Sequence, residues 1–186
     1  MGNRLNFAQL NAYAMQYGAV LGGWMIALLA LWYASLRVDA LSWGVALMWV
    51  GSPVLAWYLT VRCRHDIGAE SPFGFSKAYL HTLAMGVYAS LVVAAFVYLY
   101  LAFLDGGSVW ARYEAYLNRP DVAEQLQASG LLEQLAPVTG QPTAEAFVNS
   151  LRAIPAATYA LVTIYMNLFV APVVSVPVAL FAKARR

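Results

Sequence analysis

The sequence predicts an all-α membrane protein of four transmembrane helices, with short amphipathic helices in the loop between helices 3 and 4. Two observations carry this. Of the 186 residues, 62% are hydrophobic and only 11% charged, whereas soluble domains run nearer ~45–50% apolar and ~25% charged. Those apolar residues also fall into four runs, each long enough for the ~20 residues a spanning helix needs.

The spans are expected at about residues 12–36, 40–62, 76–104 and 155–182, within a single membrane domain covering 1–186. Arg37-Val38-Asp39 forms a tight connection after the first span, and Arg62 to Asp66 ends the second. Ser76 is the expected N-cap of the third, and Asp105-Gly106-Gly107 its stop. Pro155 suits the first turn of the fourth, which runs into Lys183, Arg185 and Arg186.

The loop 106–154 has no span of its own but is helically periodic. Trp110, Tyr113 and Leu117 share one face, and Ala144, Phe147, Leu151 and Ile154 another. A middle helix is expected from Asp121 to Leu135, interrupted or bent near Gly130, before a turn at Pro137, Gly140 and Pro142. Its polar faces are mainly acidic, which an anionic membrane surface repels. Protein is therefore the expected cover for Trp110, Tyr113, Leu117, Phe147 and Leu151: the chain's own bundle, a membrane protein partner or a second copy.

Orientation follows from the cations. Arg4, Arg62, Arg64, Lys77, Lys183, Arg185 and Arg186 lie on one side, and Arg37, Arg112, Arg119 and Arg152 on the other. The positive-inside rule makes the first side cytoplasmic. A multi-pass protein of the bacterial inner membrane with both termini in the cytoplasm is expected. Arg62, Arg64, Lys77, His81, Lys183, Arg185 and Arg186 are then candidate contacts for anionic lipid headgroups, worth ~1 kcal/mol per Lys or Arg.

Small residues at four-residue spacing mark helix seams. They are Ala14, Gly18 and Gly22 in span one, and Thr82, Gly86, Ser90 and Ala94 in span three. Pro53 is expected to bend span two. Pro172 and Pro177 release carbonyls in span four near Asn167 and Ser175, which reads as structural because no ionisable side chain accompanies the break.

No catalytic, cofactor or metal residues are indicated. The spans lack Asp, Glu, Lys and Arg between their ends, against active transport. Cys63 is the lone cysteine, which excludes an internal disulfide or CxxC site. Two histidines without acidic neighbours at ligand spacing form no metal site, and no basic stripe with interleaved aromatics suggests nucleic acid.

The third-span entry FGFSKAYLHTLAMGVYASLVVAAFVYLYLAFLD, the acidic helical loop and the ending PVVSVPVALFAKARR resemble the domain of unknown function 4199 family. The resemblance covers nearly the whole chain. It differs in preferring alanine, valine and tryptophan where members carry more isoleucine and Glu/Gln. The resemblance implies small four-helix membrane proteins of Bacteroidetes with no established activity, and it suggests a membrane-associated glycosyltransferase as a partner. A non-enzymatic accessory or scaffold subunit of a cell-envelope complex is the expected role. A passive lipid-handling or permease-like protein is the alternative.

Overall fold

The computed structural model describes residues 7–67 and 73–183, and all its regular elements are helical. Four are long: α1 (Phe7–Ser35), α2 (Leu41–Asp66), α3 (Phe75–Leu99) and α8 (Ala156–Ala182). Each is long and apolar enough to cross a membrane, where a helix satisfies every backbone group within itself. The chain is a multi-pass membrane protein. Between α3 and α8 lie α4 (Ser108–Leu117), α5 (Pro120–Ser129), α6 (Leu131–Thr139) and α7 (Ala144–Arg152).

In the long-helix bundle, α3 packs extensively against α1 and α8, and α2 closes the other side against the same two helices. The seams predicted from small residues are the ones observed. A methyl group added to Gly18 would lie 2.5 Å from Tyr88 Cβ and 2.9 Å from the Met85 carbonyl oxygen. One added to Gly22 would lie 2.9 Å from Val92 Cβ. Glycine lets α1 and α3 come within backbone contact, the main source of helix attraction where lipid is already as apolar as leucine. Gly86 faces Ala171 of α8, with 3.0 Å to that Cβ.

Several boundaries differ from expectation. The cap of α3 is Gly74, in an extended conformation, and Ser76 lies inside the helix. Pro155 is the cap of α8 rather than its first residue. Pro137 sits within α6, which ends at Gly140. By contrast, the interruption expected near Gly130 is present: α5 and α6 join there with φ +63°, a left-handed conformation that glycine adopts without a Cβ penalty. Helix α8 continues through Pro172 and Pro177.

The third span ends in a π-helical turn, Tyr100–Leu104, closed by the Asp105 amide donating to the Tyr100 carbonyl at 2.8 Å. Asp105 also starts α4: its carboxylate accepts from the Val109 amide at 2.8 Å, the Gly107 amide at 3.1 Å and the Ser108 hydroxyl at 2.9 Å. The acidic residue expected only to stop one helix caps the next.

Candidate functional site

The predicted headgroup cluster divides. Arg62 and Lys183 are exposed, Arg64 and Lys77 half-buried, all near the helix ends that carry the chain termini. Arg185 and Arg186 lie outside the described residues. Arg64 donates from Nη1 to the Ala182 carbonyl at 2.9 Å, placing a cation on the negative end of α8.

His81, grouped by sequence with the headgroup cluster, is buried within the bundle. It is 0% exposed, because it falls on the same face of α3 as Ala78, Thr82, Met85 and Ala89, all buried. Its Nδ1 lies 3.6 Å from the Cys63 sulfur, and Tyr17 meets its ring edge-on at 6.1 Å between centroids. Among the described residues Nε2 has no partner in hydrogen-bond geometry, while the Leu10 backbone is the polar group that approaches the ring. The sequence did hold a signal: His81 is three residues from Ala78 and four from Met85, on the face next to the small-residue stripe.

Around His81 the polar side chains pair across helices. The Tyr17 hydroxyl donates to Asp66, and the Thr60 and Thr82 hydroxyls meet at 3.0 Å. Each threonine oxygen also lies 2.8 Å from the carbonyl four residues back, Ala56 and Ala78 respectively. Two protons therefore serve three contacts, locking α2 to α3 where hydrocarbon offers no alternative partner. Cys63 is fully buried among these groups. In α8, the Asn167 amide donates to the Thr163 carbonyl at 2.8 Å, not to a carbonyl freed by proline. The broken-helix positions thus form no polar cluster with Asn167.

At the opposite end, α4–α7 form a cap. Of the covers expected for this apolar surface, the chain supplies part itself: Leu117, Ala144 and Val148 form a core, with Trp110, Tyr113, Leu126 and Phe147 against them. Val148, which the periodicity did not single out, is the member with 0% exposure. Leu151 is half-buried, and its carbonyl accepts from the Tyr159 hydroxyl at 2.7 Å. Burial pushes the Tyr113 phenol above its ordinary pKa, with nearby Tyr116 adding to it.

The cap is fastened to the bundle. Trp110 stacks at a tilt on Tyr159 at 5.3 Å and Tyr113 on Trp32 at 6.3 Å. The Tyr33 and Ser108 hydroxyls lie 3.0 Å apart; because Ser108 donates to Asp105, Tyr33 is the donor. The cap's exposed charges between Arg119 and Arg152 are all acidic. Asp121, Glu124, Glu133 and Glu145 are exposed, and no Lys or Arg occurs between Arg119 and Arg152.

Among the described residues no group of three His, Cys, Asp or Glu side chains is placed to hold a metal. A model of the family described as "Protein of unknown function (DUF4199)" matches residues 16–184. No curated protein and no solved structure matches the chain.

Proposed function

The chain belongs to the family of proteins of unknown function DUF4199, and we propose that it is a non-enzymatic accessory or scaffold subunit of a cell-envelope complex. In this reading it sits in the bacterial inner membrane with both termini in the cytoplasm. Arg62, Arg64, Lys77 and Lys183 then lie at the level of the anionic inner leaflet. Helices α4–α7 face outward.

The observation that carries the reading is the cap. It has its own core and is attached to α1, α8 and the α1–α2 turn through Tyr33, Trp32, Tyr159 and Asp39, so its acidic residues are carried on helices already folded, which lowers the ordering cost of association. The bundle beneath it offers little chemistry: its polar side chains are engaged mainly with backbone carbonyls of their own helices or with one another, and the spans carry no charged side chain away from their ends. A partner with a basic surface is the complementary occupant. A membrane-associated glycosyltransferase is the partner class suggested by the family resemblance.

Co-purification in mild detergent with Glu124→Lys, Glu133→Lys tests this. The double reversal leaves thermal stability and size unchanged and reduces the recovered partner at least tenfold. Full retention by the reversed cap removes the reading, and recovery of a second copy alone makes the surface a homo-oligomer interface.

A second reading, passive lipid handling, is favoured by one feature. A cleft of about 310 Å³ between α1 and α3 is lined mainly by Phe7, Leu10, Leu80, Leu83 and Val87, with His81, Asn11 and Tyr88 as its polar members. It does not include Asn167.

A further inference from the structure

A different cleft, of about 320 Å³, opens where the turn between α1 and α2 meets α4. Three arginines line it, Arg37, Arg112 and Arg119, over an apolar floor of Leu36, Ala111 and Ala115. They are three of only four cations on the cap side of the sequence. Arg119 is neutralised by Asp39, with Asp121 beside it. Arg37 and Arg112 have no carboxylate partner among the described residues; the Arg112 guanidinium lies 4.0 Å above the Tyr33 ring. Stacking on an aromatic face fixes that guanidinium's plane while leaving its N–H groups free to donate.

We propose that this cleft binds a phosphate group, presented at the membrane surface by a lipid headgroup or brought by a soluble phosphate compound. Two unmatched guanidinium groups beside a third that is already anchored suit a tetrahedral anion with several acceptor oxygens, because each planar fork can engage two of them. The position suits a headgroup. Arg37 lies two residues beyond the end of α1, where a spanning helix leaves hydrocarbon, and the floor is apolar enough to meet the upper part of an acyl chain. The inference is independent of which protein, if any, docks on the acidic face, and it holds for either orientation of the chain in the membrane.

Native mass spectrometry of the purified protein, with dioleoyl phosphatidic acid and dioleoylglycerol as matched probes, tests it. The phosphatidic acid adduct is expected to survive detergent stripping and the diacylglycerol adduct to be lost. Arg37→Ala, on an exposed side chain, reduces phosphatidic acid occupancy at least fivefold, and Arg37→Ala with Arg112→Ala abolishes it. Arg62→Ala, at the other end of the bundle, leaves it unchanged. Displacement by millimolar inorganic phosphate identifies the phosphate alone as the recognised group and a soluble source; resistance to displacement identifies the lipid. Equal retention of the two probes overturns the site, as does full occupancy in Arg37→Ala or a loss in Arg62→Ala equal to that in Arg37→Ala.

Discussion

Arg119 of the cap grips Asp39 of the α1–α2 turn through both carboxylate oxygens, Nη1 to Oδ1 at 2.5 Å and Nη2 to Oδ2 at 2.7 Å. The residues are 80 positions apart. An exposed ion pair is ordinarily worth little, but a bidentate fork also fixes geometry. Here it ties the start of α5 to a turn between two spans. The Arg119 guanidinium holds the Asp39 carboxyl below its ordinary pKa, and the pair raises that of Arg119.

The sign of the pH dependence follows. A depressed folded pKa adds stability above the unfolded value, ~3.9 for aspartate, and loses it as pH falls through the folded value. Amide-exchange protection of residues 108–152 is therefore level from pH 7 to 5 and drops below about pH 4. In Asp39→Asn the contribution of this pair to that drop disappears, and protection at pH 7 is already lower. An identical acid profile in wild type and Asp39→Asn removes the pair as a fastener.

Packing at the glycine seam is graded by what a side chain meets. Gly18→Leu must part α1 from the backbone of α3 and costs roughly 1–3 kcal/mol or more. Gly86→Leu meets only the Ala171 methyl group first and costs less. Ala30→Leu and Ala95→Leu, both exposed, are near neutral. Thermal unfolding in detergent measures the order, and equal shifts across the four variants contradict it.

The Cys63 thiol lies in the core against His81. A maleimide reagent in mild detergent labels it far more slowly than in SDS, and His81→Ala, which opens space beside it, accelerates labelling at least tenfold. Rapid labelling of the folded wild type contradicts its burial.

Within the cap, Val148 is the centre and Leu151 the edge. Val148→Ala deletes two buried methyl groups and costs about 2 kcal/mol including the cavity; Leu151→Ala, half-exposed, costs less. Limited proteolysis of residues 108–152 reads the difference, and the reverse order places the core elsewhere.

For orientation, cysteines at Ser129 and at His65, both exposed, are compared in a Cys63→Ser background with an impermeant reagent on cells with a permeabilised outer membrane. Ser129→Cys labels and His65→Cys does not. The opposite pattern reverses the chain in the membrane.

The four spans were legible because the information is local. An uninterrupted apolar run in a solvent without hydrogen-bond partners can only be a helix, and glycine at four-residue spacing marks the side on which another backbone can approach. The breaks at Asp105-Gly106-Gly107 and Gly130 were legible for the same reason, since a left-handed residue is a property of one position. Tertiary structure alone decided what meets across helices. A polar histidine one turn into a span reads as interfacial until α1 and α2 are seen to enclose it. The apolar stripes of α4 and α7 demand a cover without naming it, and the chain supplies part of it through Leu117, Ala144 and Val148. Arg37, Arg112 and Arg119 look like scattered exceptions to a charge rule in one dimension. They line one cleft because the cap folds back onto the turn after α1, and sequence separation carries no trace of that closure.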